Sequence, residues 1–306
     1  MYFESVFLLK KELPIFISFR LKIVMHSVLF GLFASLFIYQ ILRIPYQSIH
    51  VIDWAKFILP LLLVPINWYL EYKKWYLQLN FLKLPQENAH RSFAAGMVSD
   101  FIIPGIPTNF VGRIMYFDST KRFALTAWTQ ITNGIQFLIT LFCGMLSVFV
   151  LDKGSYLSFA ILLVGFGLLY ALWLFPSIRA YIKKKFPGIF DGQIKSRTAI
   201  IYLIKIGLLS IIRMIVFTLQ FLFFLNAFGI SFTVDLLFWI WLSYLSVTFS
   251  PSLFFGKLFV RESVTVAVFQ LGNYAATPVL LASFAIWFFN GFIPTAIAWL
   301  ITISKK

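Results

Sequence analysis

Between Ala124 and Val150 the chain carries no Asp, Glu, Lys or Arg, and further apolar runs follow along its 306 residues. An α-helix needs roughly 18 to 20 apolar residues to cross a bilayer, and several runs here exceed that length. With 60% hydrophobic and 12% charged residues, there is too little polar surface to cover a water-soluble domain of this size. The sequence therefore predicts an all-α, polytopic integral membrane protein, with residues 1–306 as a single membrane domain. Ending with Lys305 and Lys306 on the same side as a basic N-terminus requires an even number of crossings, so six to eight transmembrane helices are expected.

Two stretches break this pattern. In 93–113, Gly96, Asp100, Pro104, Gly105, Pro107, Gly112 and Arg113 lie in an otherwise apolar setting, and in 250–262 so do Pro251, Gly256, Lys257, Arg261 and Glu262. Proline removes an N–H and clashes one turn back, so a helix must stop there. Irregular backbone at membrane depth is tolerated only where protein or a watery cavity meets it, which predicts two re-entrant or broken-helix hairpins. Pro104 precedes Arg113 by nine residues, Pro251 precedes Arg261 by ten, and an apolar helix follows each. Such pairing reads either as a pseudo-repeat with a substrate site at its interface or as two unrelated loops.

Residues 1–22 form a basic interfacial lead-in with no cleavage pattern of a removable signal peptide. A first span is expected from Ile23 to Leu42 and a second from Trp54 to Tyr72, whose end carries Asn67 and Glu71 four apart on one face. Trp68, Lys73, Lys74 and Trp75 would mark the interface there. Glu71 is then either an inward-facing functional carboxylate or a headgroup-level partner of Lys73 or Lys74. From Ala124 to Val150, Thr126, Gln130, Asn133, Gln136 and Thr140 share one helix face, a polar stripe that either glues helices or lines a cavity. A further span runs from Leu157 to Phe175, and the loop from Pro176 to Arg197 is basic and hence cytoplasmic. Arg213 lies mid-span, where an arginine costs roughly 2.5 to 3.5 kcal/mol to insert and must face protein or water, with Gln220 on its face and Lys205 nearby. It either binds substrate or pairs with Glu262, Asp100 or Glu71. Between Val264 and Ile303, Gly272, Asn273, Pro278, Asn290, Gly291 and Pro294 are potential breaks.

The net charge of +15 reads as orientation and attraction to anionic phospholipid headgroups, not as nucleic-acid binding. One cysteine, Cys143, and three scattered histidines, His26, His50 and His90, show no ligand spacing. Neither a metal nor a cofactor is expected.

Three motifs, N-W-Y-L-E-Y-K-K-W (Asn67 to Trp75), G-M-V-S-D-F-I-I-P with the following G-R (Gly96 to Arg113), and S-P-S-L-F-F-G-K-L-F-V-R (Ser250 to Arg261), together resemble the lysylphosphatidylglycerol synthase transmembrane-region family, also called flippase-like domain proteins. The first looks like the Bacteroidota-type version, and the chain resembles a short member without the soluble synthase domain. Where members have proline and then Asn-Arg-x-Gly-Glu ahead of Gly-Arg, Pro104 is followed by Gly105, Ile106, Pro107, Thr108 and Asn109. Lys257 stands where members have an acidic residue. The resemblance thus carries over to Pro104, Gly112, Arg113, Pro251, Arg261, Asn67 and Glu71, with Asp100 and Glu262 as the carboxylates available in place of the missing ones.

What the resemblance implies is a lipid flippase or transporter of the bacterial inner membrane. In that reading the two hairpins meet near the bilayer centre and Arg113, Arg213 and Arg261 neutralise a phosphate, with no catalytic residues. Alternatives are a membrane-embedded glycosyl- or aminoacyl-transferase acting on a lipid carrier, for which Asp100, Asp118 and Glu262 would be the available bases, and a non-transporting scaffold subunit.

Overall fold

The computed structural model describes residues 53–103, 108–151, 196–250 and 258–304, together with isolated helical positions between 28 and 42. The lead-in over 1–22, most of the first span, the span expected from Leu157, the basic loop from Pro176 to Lys195, Pro104, Gly105, Pro107, Pro251, Gly256, Lys257, Lys305 and Lys306 lie outside the described residues.

The described residues are all helical, with no strand. In chain order they form α1 (Trp54–Phe81), α2 (Ala89–Ile102), α3 (Asn109–Ile114), α4 (Ser119–Leu151), α5 (Ser196–Ala227), α6 (Val234–Phe249), α7 (Val260–Leu271), α8 (Ala276–Ile286), a π-helical stretch (Trp287–Phe292) and α9 (Ile293–Ile303). Three of them are long and apolar enough to cross a membrane: α4, α5 from Thr198, and the continuous run Ala276–Ile303 through α8, the π stretch and α9. Their outward faces are apolar. On α5, Ile200, Ile204, Leu208, Ile211 and Ile215 are all exposed, as suits helices whose surroundings are hydrocarbon.

α1 is the central element. It packs along α5 and also touches α2, α4 and the π stretch. Asp53 caps it, its carboxylate accepting from the Lys56 amide at 3.2 Å, which satisfies one of the free N–H groups of the first turn. The helix does not end at the expected Tyr72 but continues to Phe81. Its apolar residues Trp54, Ile58, Leu62, Ile66 and Tyr69 are exposed, whereas Asn67, Glu71, Lys74 and Gln78 are buried. Spacings of four, three and four place those polar residues on one stripe, so α1 turns its polarity inward.

Three helices end with a residue in the left-handed region: Lys83 after α1, Gly229 after α5 and Asn273 after α7. In each, the following amide returns to a carbonyl five residues back, Leu84 to Leu79, Ile230 to Leu225 and Tyr274 to Phe269. That pattern uses carbonyls the last turn would leave free.

α2 and α3 form a tight hairpin. A Cβ on Gly112 would lie 2.0 Å from the Ala95 carbonyl oxygen, and one on Gly96 would lie 2.6 Å from Arg113 Cγ. Only residues without side chains allow the two backbones this close. The Ser99 hydroxyl bonds the Gly96 and Thr108 carbonyls and accepts from the Gly112 amide, while Asp100 accepts from the Thr108 amide at 2.9 Å.

Asn290, Gly291 and Pro294 were candidates to break the last span, yet the helix is continuous there and widens into π geometry instead. Pro294 cannot donate to the carbonyl four residues back, and its ring crowds that carbonyl. The group concerned is Asn290 O, which accepts from Trp68 Nε1 of α1 at 3.1 Å.

The main apolar core, including Phe221, Phe224, Leu236, Ile240, Phe269 and Leu280, joins α5, α6, α7 and α8. A second, built on Trp75, Leu79, Phe93 and Leu125, joins α1, α2 and α4.

Candidate functional site: a buried carboxylate shared by three cations

The inward stripe of α1 meets the surrounding helices through its polar side chains. Asn67 donates from Nδ2 to Asn290 Oδ1 on the π stretch at 3.1 Å and accepts Arg213 Nε of α5 at 2.9 Å. One turn on, Glu71 is shared by three cations. Lys74 Nζ lies 2.7 Å from Oε2, Arg213 Nη1 3.1 Å from Oε2, and Arg113 Nη2 3.3 Å from Oε1. Lys74 also donates to Gln136 Oε1 of α4 at 3.3 Å. Another turn along, Gln78 Nε2 donates to the Leu125 carbonyl and to Thr129 Oγ1 at 3.0 and 2.9 Å.

Glu71 pairs with Lys74, one of the two lysines expected as its partner, and does so inside the protein. The extension of α1 to Phe81 puts it, Lys74 and Trp75 inside the protein, with relative exposures of 6%, 2% and 1%. Lys74 and Trp75, expected at an interface, face inward because the stripe of Asn67 and Glu71 continues through them. Lys73 remains on the outer side, over the Tyr76 ring at 5.7 Å.

Each cation is positioned by its own helix. Gly96 and Gly112 let α3 approach α2 closely enough for Arg113 to cross Gly96 and reach Glu71. Its guanidinium then sits over Trp75 and Phe93, at 4.9 and 5.3 Å from the ring centroids, an arrangement that holds a desolvated cation against aromatic faces. Arg213 lies over Phe217 at 5.1 Å. Its side chain is 17% exposed against 4% for Arg113 and 3% for Lys74, so the centre opens on the Arg213 side.

Of the polar stripe on α4, Asn133 exchanges amide hydrogen bonds with Asn109 at 3.2 and 3.4 Å and Gln136 accepts from Lys74, so both join helices. Thr126 and Thr140 bond carbonyls of their own helix, and Gln130 is half-buried on the same helix. Asp100 is occupied with the Thr108 backbone, where it holds the return of the α2–α3 hairpin.

Arg261 does not join Arg113 and Arg213. It pairs with the fully buried Glu262 at 2.8 Å and donates to the Ser283 carbonyl of α8 at 3.0 Å. α2 and α3 pack chiefly on α9 and α4, whereas α7 packs on α6 and α8. Arg113 and Arg261 thus serve separate clusters. Phe259, two residues before Arg261, has φ of 68°, a conformation a bulky residue adopts only when its surroundings hold it, and its ring packs on Phe37 at 4.9 Å.

Gln78 and the role of Asn290 were missed in the sequence. Continuing the four-three-four spacing beyond Lys74 would have found Gln78. Asn290 gave no comparable signal, because only the π turn rotates it toward α1. Fold and site together define an all-helical protein with membrane-length apolar helices around a buried, cation-rich polar centre. The chain matches no family model, no curated protein and no solved structure.

Proposed function

We propose that this chain is a lipid flippase or related lipid transporter of the bacterial inner membrane, moving an anionic or lipid-linked phospholipid between leaflets. The observation that carries the reading is the charge of the Glu71 centre: three cations converge on a single carboxylate, so cationic groups outnumber the carboxylate they share. Burying uncompensated charge is costly, so an arrangement of this kind favours an anion entering it. Arginine's planar fork matches phosphate oxygens, and two of the three cations are arginines. Arg213, the most exposed of them, is where a headgroup would first make contact. The same reading takes six to eight crossings, with the segments 93–113 and 250–262 as dipping hairpins, and draws its lipid substrate class from the family resemblance of the three motifs.

The test is reconstitution in liposomes with a fluorescent phosphatidylglycerol, following its transfer between leaflets by chemical quenching of the outer one. Wild-type protein is expected to accelerate transfer over protein-free liposomes, and Arg213→Ala to slow it roughly tenfold or more, as loss of a charge-assisted hydrogen bond implies. Transfer no faster than in protein-free liposomes, or an Arg213→Ala rate equal to wild type, refutes the reading.

A further inference from the structure

The amides beside the Glu71 centre are held in one orientation from end to end. Gln220 Nε2 donates to the Pro60 carbonyl at 3.1 Å, which fixes that amide and leaves its Oε1 to accept Asn290 Nδ2 at 3.2 Å. Asn290 Oδ1 is thereby turned toward Asn67 Nδ2, 3.1 Å away. Asn67, with its nitrogen so engaged, presents Oδ1 to Arg213 Nε at 2.9 Å. An amide has donors at one end and an acceptor at the other, so reversing any member breaks the next contact. Asn67, Asn290 and Gln220 are all buried, at 0%, 5% and 0% exposure. Asn290 itself is placed by the π turn, with its carbonyl tied to Trp68 Nε1. π turns are rare inside α-helices and occur frequently at functional sites.

We propose that Asn290 is a positioning residue: acting through Asn67, it aims the Arg213 guanidinium at Glu71 and so sets how tightly the centre takes an anionic headgroup. The inference rests on reading the centre as an anionic-lipid site and adds to it a residue on a different helix that touches none of the three cations.

Two readouts separate its failure from that of the functional reading. In protein carrying nitrogen-15 at arginine Nε, the Arg213 Nε–H signal reports orientation without ligand. It is expected to be protected from solvent exchange in wild type and to lose that protection in Asn290→Leu, and more weakly in Gln220→Leu, which keeps the test open if the first variant does not fold. Binding of dihexanoyl phosphatidylglycerol to the detergent-solubilised protein is expected to weaken about tenfold in Asn290→Leu, with no further loss when Asn290→Leu is added to Arg213→Ala. An unchanged Arg213 signal in the variants, or a loss of affinity that persists undiminished in the Arg213→Ala background, overturns the proposal. Wild-type protein that does not bind the lipid overturns the functional reading instead, and the Arg213 signal then decides the role of Asn290 alone.

Discussion

Replacing Gly112 with alanine tests the link between backbone approach and the charged centre. The new Cβ would stand 2.0 Å from the Ala95 carbonyl oxygen and 2.3 Å from its carbon, whereas ordinary contacts begin near 3.4 Å. Both obstacles are backbone, so no side chain can swing aside, and the α2–α3 hairpin must open by about 1.4 Å. Arg113 sits next to Gly112, and its contact with Glu71 is already 3.3 Å long. An opening of that size takes the pair beyond hydrogen-bonding reach and draws the guanidinium off Trp75 and Phe93. Overpacking alone costs about 1 to 3 kcal/mol, and a buried cation left unpaired costs about 3 to 5 kcal/mol when nothing replaces its partner. Arg113 keeps part of its environment, so a total of roughly 3 to 5 kcal/mol is expected, or about 10 °C in Tm at a few degrees per kcal/mol. The assay is thermal unfolding of the detergent-solubilised protein, with Gly134→Ala as control, since a Cβ at Gly134 meets nothing within 4 Å. A Gly112→Ala Tm equal to that of wild type, or an equal loss in Gly134→Ala, refutes the argument.

Glu71→Gln leaves three cations around a neutral amide, and a loss of about 3 to 5 kcal/mol is expected; adding Arg213→Gln should recover part of the Tm, and a further fall on adding it would show that the cations do not repel through this site. Gly144→Ala should lower Tm because its Cβ would meet Leu245 Cβ at 2.5 Å; alanine at 245 keeps that atom, so Leu245→Gly is the change that should remove the added penalty, and additive losses in the Gly144→Ala, Leu245→Gly double variant would contradict the contact. Gln78→Leu, which deprives the Leu125 carbonyl and Thr129 of a buried donor, should cost about 1 to 2 kcal/mol by the same unfolding measurement, and an unchanged Tm would remove Gln78 from the supports of α1.

The helical class and the three membrane-length apolar helices were legible because long apolar runs with so little charge favour bilayer-length helices. Asn67 and Glu71 were legible as a pair because helical spacing of four is a strong local pattern. The burial of Glu71 was not. Two lysines beside a tryptophan signal an interface in most spans, and here Lys74 is instead drawn inside by the carboxylate three residues before it. The meeting of Arg213 with Glu71 was foreseen as one of several pairings, since the sequence shows that a buried arginine needs a partner but not which helix supplies it. Pro294 was legible as a disturbance, yet whether a proline breaks, kinks or widens a helix depends on what receives the freed carbonyl, and Trp68 Nε1 lies more than two hundred positions away.

The three cations of the centre do not reach it at the same stage of synthesis. Lys74 leaves the ribosome almost together with Glu71, on the same turn of the same helix, so the two charges that α1 turns inward already offset each other. Arg113 follows on a hairpin, and Arg213 arrives last, after a further long helix has been made. Both arginines are therefore made after the carboxylate they share, and the order of the residues along the chain doubles as an order of synthesis.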